Sequence, residues 1–366
     1  MSKLERSFRN SFQKLDLKKV LDDHEKLEVL SHVSDTLADD CLKHLHWKAH
    51  QDVSKVLHNC DSAHESIMKF KEQIGGVPEW VNWDLVRQGQ DVFWKYMVPV
   101  NIILTNYSLA GGLAANDMAN TLECNGSDKK PPLTNARVMN TSKFVLDVMK
   151  DADCLRPWTG EGCNQEHLLY TLCEFSIVII TNLRKMGINP TPNEVTAYLH
   201  LWHVIGYYLG VTEEFSKRIV SENGAAALFV EMEKDLVHPG EAGKEAAKAL
   251  LGNMALRPPM FWPYNLHGAV MRKLVGDEIT SSLGIEPTPW YWKMIASGVL
   301  FNVRLLHSSN LFVRPRIYLY RKFTPPLWVV LSWIGKRISS RKGESEEKGG
   351  CQFERPRLGP DTSKKY

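Results

Sequence analysis

The chain has 366 residues, a formal net charge of +3 and 43% hydrophobic residues. This length suits one large domain or two ordinary ones, and the hydrophobic share is that of a globular protein with a sizeable core. Because the charge is nearly balanced, composition gives no support for nucleic-acid binding. The seven cysteines show no C-x-x-C spacing, which favours reduced thiols and an intracellular compartment. The polar N-terminus predicts no secretory signal.

The first 75 residues predict a helical N-terminal extension, because apolar residues such as Leu30, Val33 and Leu37 recur at helical spacing. The glycines at 75 and 76 end it. Residues 76–335 show no alternating strand pattern and are expected to form a single large all-α, bundle-like domain, with an interruption at Pro99. Residues 336–366 predict a disordered basic tail.

A helix is predicted from Arg137 to Met149. Arg137 and Thr141 are four residues apart and therefore share a face of this helix. An arginine and a hydroxyl on one face can hold a carboxylate, a propionate or an iron-bound oxygen species. The alternative is an arginine on a solvated face beside a capping threonine, and the pattern alone does not exclude it.

The segment 164–211 predicts two helices that are apolar nearly all round, joined at Gly187 to Pro190. Such helices belong inside a bundle. His200 and His203 are three residues apart on the second helix, and His167 lies on the first. His200 and His203 are interpreted as two ligands of one metal, as one haem ligand with a hydrogen-bonded neighbour, or as core histidines. Glu174, surrounded by apolar residues, requires a partner if it is buried.

Residues 325–334 are apolar and contain tryptophan, and a basic cluster follows at 336–342. The stretch is too short to span a membrane but predicts a peripheral membrane contact through residues 325–342. A terminal core helix with a solvated end is the alternative. The chain has no G-x-S-x-G motif, phosphate-binding glycine loop or dinucleotide fingerprint, so hydrolase, kinase and Rossmann functions lack support.

Several short motifs follow one another in a fixed order between residues 78 and 215. They are Trp83-Asp84, Arg87 to Phe93, Ser108 to Gly112, Arg137 to Thr141, Phe144 to Asp147, Asn164 to Glu166, Glu194, Tyr198 to Trp202 and Gly206 to Gly210. In order and spacing they resemble the catalytic domain shared by bacterial rubber oxygenase (latex clearing protein) and the fungal ER-bound oxygenase of mycophenolic acid synthesis.

That family is all-α, and its members include b-type haem oxygenases that cleave carbon–carbon double bonds of polyisoprenoid chains with dioxygen. The resemblance implies an oxidoreductase with haem b, dioxygen and an apolar, isoprenoid- or lipid-like substrate. Arg137 and Thr141 match the family's arginine and threonine on the distal side of the haem. Arg137 is expected to bind a propionate or orient bound oxygen, with Thr141 hydrogen-bonding beside it. Glu174 or Glu123 is the expected base.

The resemblance has one large departure. Members usually carry a helix with the proximal haem histidine between the equivalents of Asp147 and Asn164, but residues 148–163 contain no histidine. The gene model is incomplete or alternatively spliced, or the protein is a non-catalytic relative without haem, or one of His167, His200 and His203 is the axial ligand. The intact site helices favour the first explanation.

The second explanation implies a haem-free, lipid- or partner-binding helical protein at a membrane surface. By resemblance to the fungal member, the expected location is the cytoplasm or the ER membrane.

Overall fold

The structure, a computed structural model, describes residues 34–46, 56–57, 59–60, 63–124, 135–150, 164–256, 260–308, 313 and 315–324, with the backbone alone for 74, 121–124, 135–140 and 308. These residues are helical apart from turns and one isolated bridge between Ala115 and Val237. Within them there is no β-strand, so the predicted all-α class is confirmed. The predicted tail at 336–366 and the segment 325–342 lie outside the described residues.

The α-helices are α1 (Thr36–His44), α2 (Glu65–Gly75), α3 (Trp83–Lys95), α4 (Met97–Ile103), α5 (Ala110–Gly112), α6 (Asn116–Cys124), α7 (Asn135–Lys150), α8 (Gln165–Phe175), α9 (Ile177–Lys185), α10 (Pro192–Tyr208), α11 (Glu213–Ser216), α12 (Glu222–Leu236), α13 (Glu241–Met254), α14 (Tyr264–Leu274), α15 (Asp277–Ser282) and α16 (Trp290–Ser308). A π-helical segment, Leu104–Leu109, joins α4 to α5, and a 3-10 turn, Lys217–Val220, follows α11. Residues 315–324 form a further helical stretch.

The interruption expected at Pro99 lies three residues earlier. Helix α3 ends at Lys95, Tyr96 leaves helical geometry, and α4 places Pro99 in its first turn. A proline is tolerated there because the amide groups of the first turn have no partner within the helix. The prediction of a break is therefore confirmed, with the proline just inside the new helix.

The segment 164–185 was expected to form one helix, and this prediction is wrong in detail. It forms α8 and α9, separated at Ser176. The Ser176 hydroxyl donates to the carbonyl of Leu172 at 2.7 Å, and its amide bonds to Cys173 instead of continuing the regular ladder. A serine side chain that bonds to a preceding carbonyl competes with helical pairing and bends the chain.

Side-chain contacts fix the start of helix α10, which carries His200 and His203 of the predicted site. Thr191 and Glu194 form a reciprocal capping box at its start. Glu194 also accepts from Lys95 of α3 at 2.7 Å. Burial alone would raise the pKa of Glu194, but the bonds from Lys95 and from the Thr191 amide outweigh it and lower that pKa. One carboxylate thus fixes the start of α10 and holds α3 against it.

Helices α3 and α10 approach closely because α3 carries a glycine at the contact. A Cβ at Gly89 would lie 2.5 Å from the Ala197 carbonyl oxygen and 2.8 Å from the Leu201 Cβ. On another face of α3, Gln90 and Trp94 donate to the Val148 and Met149 carbonyls of α7, each at 2.7 Å. Helix α3 therefore positions both α7 and α10.

The predicted N-terminal extension has a small apolar cluster of its own. Helices α1 and α2 pack together around Cys41, Leu57, Ile67 and Phe70, which are buried. The main core is a second cluster that runs from Val86 to Val303. The division of the chain at residues 75 and 335 remains a prediction.

We expect Gly89→Ala to lower the free energy of unfolding by about 1–3 kcal/mol, because the added methyl overlaps the α10 backbone. Gly252→Ala on α13 is the matched control, since nothing lies within 4 Å of a Cβ there. It should raise stability by roughly 0.5–1 kcal/mol, as expected for alanine in place of glycine in a helix. Urea unfolding measures both, and equal effects would contradict the close approach.

Candidate active site

Glu174 lies at the centre of the helical core. It projects from α8, its side chain is buried, and its Oε1 atom has no hydrogen-bond partner among the described residues. The carboxyl group presses against α5, where a Cβ at Gly112 would overlap it. A side chain at position 112 would therefore displace the Glu174 carboxyl group from this position.

A second carboxyl group, that of Glu233 on α12, shares this interior. It is buried, and neither of its oxygens has a hydrogen-bond partner among the described residues. Burial raises the pKa of both glutamates well above the usual range, and the charge of Glu174 raises that of Glu233 further. The two groups are therefore neutral acids near neutral pH, because an unpaired buried carboxylate is too costly.

Two phenols and a thiol complete this group, which we call the buried acid cluster: Tyr107, Tyr170, Cys173, Glu174 and Glu233. Burial raises the pKa of both tyrosines and of the cysteine, and the charges of both glutamates raise them further. No lysine or arginine acts on either glutamate pKa within the described residues. The cluster can donate and hold protons but carries no counter-charge.

The π-helical segment 104–109 supplies one wall of this cluster. Its Ser108 hydroxyl donates to the Glu174 carbonyl at 2.8 Å, and Asn106 Oδ1 lies 2.9 Å from His267 Nδ1 on α14. Burial lowers the pKa of His267 to about 4, so this imidazole is neutral. Single π-helical turns inserted in α-helices often occur at functional sites, because they redirect side chains. Here the turn directs Asn106, Tyr107 and Ser108 to two neighbouring helices.

His200 and His203 lie together on α10, beneath Trp80. His200 Nε2 accepts from the Asn82 amide at 3.0 Å, and Trp80 stacks on the His203 ring with centroids 4.0 Å apart. Neither nitrogen of the buried His203 has a hydrogen-bond partner among the described residues. Burial, and then the neighbouring His200, lower the pKa of His203 to about 4. His203 is therefore a neutral imidazole with its ligand-forming atoms unused.

His167 lies apart from this pair, in the first turn of α8. Its amide donates to the capping Asn164 side chain at 2.8 Å. Burial lowers the pKa of His167, and the charge of Asp117 opposes that effect. The adjacent Glu166 has a pKa raised to about 7 by burial and by the charges of Asp235 and Asp117. This corner is acidic and distinct from the α10 histidines.

Arg137 and Thr141 lie on α7, whose backbone confirms the predicted helix from Arg137 to Met149. Thr141 is half-buried. The side chains of Arg137 and Glu123 lie outside the described part of the chain. No hydrogen bond of the described residues joins Thr141 to His167, His200 or His203.

The structure thus brings His200 and His203 together, as their spacing predicts, and leaves His167 apart. No three histidine, cysteine, aspartate or glutamate side chains of the described ranges are arranged to hold one metal ion. The sequence reasoning missed Glu233 and Tyr107. A signal for Glu233 existed, because it follows the apolar run from Gly224 to Val230 on a helix that proves to be buried.

We expect Glu233→Gln to change how stability depends on pH. Below about pH 4.3, the usual glutamate pKa, both folded and unfolded chains hold the proton. Above it only the unfolded chain ionises, because the folded pKa is raised. The free energy of unfolding of the wild type therefore falls by up to about 1.4 kcal/mol per pH unit because of this group, until the pH passes the pKa that Glu233 has in the folded protein.

Urea unfolding measures the free energy of unfolding between pH 5 and about pH 8, a range that lies above the usual carboxyl pKa. As the pH rises across this range, the stability of Glu233→Gln should increase relative to that of the wild type. Glu245→Gln, at an exposed position on α13, is the control and should leave the pH profile unchanged. Parallel profiles for wild type and Glu233→Gln would contradict the burial of a neutral acid.

Three comparisons with known proteins agree. Residues 156–301 match the family described as ER-bound oxygenase mpaB/B'/Rubber oxygenase, catalytic domain. Rubber oxygenase of Streptomyces sp. (strain K30) is 26% identical over 136 residues, or 37% of this chain. That match spans 32% of the relative's own length. A solved structure of latex clearing protein LCP in the closed state has a TM-score of 0.53 at 16% identity, covering 84% of this chain and 92% of that one, and so shows the fold. The family match and the Streptomyces relative both indicate a likeness to the mpaB and rubber oxygenase catalytic domain, and the solved structure indicates a likeness in fold.

Proposed function

We propose that this protein is an oxygenase-type oxidoreductase that acts with dioxygen on an apolar, isoprenoid- or lipid-like substrate. The observation that carries the proposal is the match of residues 156–301 to an oxygenase catalytic domain. This range contains α8, α10 and α12, which hold Glu174, His203 and Glu233. The oxygenase chemistry is inferred from the names of the relatives. The buried acids and the neutral imidazole are residue types that such chemistry uses.

Haem b is the proposed cofactor, and His203 fits it best among the three candidate histidines. A histidine that would hold haem iron must be a neutral imidazole with a free nitrogen, and both conditions hold for His203 among the described residues. His200 is less suited, because its Nε2 atom accepts from Asn82. Arg137 would bind a propionate and Thr141 would hydrogen-bond beside it. When bound, the haem supplies the activation of dioxygen.

The protein's own contribution is to hold protons away from water. Glu174 keeps a proton on its carboxyl group because burial disfavours the carboxylate. Ser108 fixes the Glu174 backbone, and Gly112 leaves room for its side chain. A neutral acid held in this way can give a proton to a developing negative charge and take it back.

A second candidate function is a haem-free protein that binds lipid or a partner at a membrane surface. It is favoured by the absence of any histidine in residues 148–163. Contact of residues 325–342 with a membrane, and a location at the ER membrane, are parts of this proposal. No described helix is long and apolar enough to cross a membrane.

We expect purified protein supplied with haem to show a Soret absorption band, and His203→Ala to remove or strongly shift it. His267→Ala is the matched control, because His267 is equally buried but already bonded to Asn106. Visible absorption during haem titration measures both variants, with His200→Ala and His167→Ala beside them. A band that survives in all four would exclude these histidines as ligands, and a colourless wild type would favour the haem-free function.

Glu174→Gln should reduce oxygenase turnover by about 10²–10⁴-fold, the range for loss of a general acid or base. Dioxygen uptake and carbonyl products are measured with dispersed squalene as the apolar probe. Glu245→Gln should retain full activity. If Glu174→Gln binds haem and turns over like the wild type, Glu174 has no catalytic role.

A further inference from the structure

Helix α16 contacts the protein body along a narrow stripe. Ala296, Val303 and His307 are buried, and Trp292 is half-buried. Most of the remaining surface of the helix is both apolar and exposed. The exposed large side chains are Trp290, Tyr291, Met294, Ile295, Phe301, Leu305 and Leu306. For Trp290, Met294 and Leu306 the exposed fraction is 73%, 65% and 67%.

These exposed side chains form one continuous face. At 3.6 residues per turn, Trp290, Met294, Phe301 and Leu305 align along one side of α16. Lys293 and Arg304 fall between this side and the buried stripe. The helix therefore has three sectors, one buried, one apolar and exposed, and one narrow and cationic. A wide apolar sector that is exposed has no role in the packing of the described residues.

The stretch 315–324 continues this face. Arg316 donates to the Leu306 carbonyl at 2.7 Å, which ties the stretch to the end of α16. Tyr318, Leu319 and Phe323 are exposed on it. The Lys322 ammonium lies 5.4 Å and 5.7 Å from the ring centroids of Tyr318 and Phe323. Aromatic rings beside an ammonium group are typical of the headgroup level of a bilayer.

We call the exposed apolar side chains of α16 and of 315–324 the interfacial face. Monomeric proteins rarely expose an apolar patch of more than a few hundred Å², and larger ones mark a binding surface. Ten large apolar side chains contribute to this face. It therefore calls for an apolar partner.

The surrounding charge identifies that partner. Residues 287–343 contain no aspartate or glutamate. The same range contains ten basic residues: Lys293, Arg304, Arg314, Arg316, Arg321, Lys322, Lys336, Arg337, Arg341 and Lys342. Along the chain, the acid that precedes this range is Glu286, and Asp91 of α3 is paired with Arg321 at 2.9 Å. An apolar surface in a stretch whose charged residues are all cations complements an anionic lipid surface.

A second copy of the chain fits this face less well. Two copies joined through it would bring the same cationic border against itself, which like-charge repulsion disfavours. We propose that the interfacial face lies in the surface of an anionic phospholipid bilayer, with α16 parallel to the membrane plane. The contact is peripheral, and the proposal does not depend on the oxygenase function.

The test is co-sedimentation of the full chain with phosphatidylcholine vesicles, with and without phosphatidylserine. Met294→Ser/Leu305→Ser should weaken binding about tenfold or more, because two large apolar side chains no longer enter the interface. Met68→Ser/Val77→Ser removes two similarly exposed side chains elsewhere and should bind like the wild type. Unchanged binding by Met294→Ser/Leu305→Ser would overturn the proposal.

The double variant Lys293→Gln/Lys322→Gln tests the contribution of the basic residues beside the interfacial face. Each lost lysine should weaken binding to phosphatidylserine vesicles about fivefold, and added salt should reduce the difference. Equal binding of the wild type to vesicles with and without phosphatidylserine would overturn the claim that the face prefers anionic lipid. A contact between two copies of the chain is the alternative outcome. It would be indicated if neither the wild type nor the variants bind vesicles, and if Met294→Ser/Leu305→Ser converts a dimer to a monomer in sedimentation velocity.

Discussion

Two carboxyl groups, buried with no cation acting on them among the described residues, are the constraint around which the centre of this protein is organised. Glu174 and Glu233 act electrostatically on one another and on Tyr107 and Tyr170. Placing either charge in such an interior costs far more than keeping its proton. Burial therefore favours the protonated forms, while Gly112 leaves space for the Glu174 carboxyl group and Ser108 of the π-helical segment bonds to the Glu174 carbonyl.

The α10 histidines satisfy a different condition. His200 is fixed by the Asn82 amide, so Nδ1 carries the proton of a neutral ring. His203 is covered by Trp80 and left without a hydrogen bond among the described residues. A buried imidazole with no partner is costly unless stacking or a ligand compensates. Trp80 stacks on a face of the His203 ring, and a ligand would provide a partner for the ring nitrogens.

The sequence predicted much of this arrangement because hydrophobic periodicity reports burial directly. The apolar character of 192–208 places α10 inside the core, and the capping residues Thr191 and Glu194 mark its start. The same reasoning expected a partner for a buried Glu174. The apolar run before Glu233 signalled its burial, but nothing local could show that it lies near Glu174, because the two helices are distant in sequence and no local pattern specifies which faces meet. The break at Ser176 was missed for a related reason, since a serine in an apolar run gives no sign of which carbonyl it bonds.

The interfacial face and the buried acid cluster are connected through ordinary packing. Helix α16 lies against α14, and α14 lies against the π-helical segment through the His267–Asn106 contact. An apolar substrate dissolves in a bilayer and is scarce in water, so an enzyme for such a substrate gains from docking where the substrate is concentrated. Only α14 separates α16 from the segment that carries Tyr107 and Ser108. The proposed lipid-binding surface and the buried acid cluster thus lie in successive layers of one helical core, so the membrane proposal supports an apolar substrate even though each proposal is tested separately.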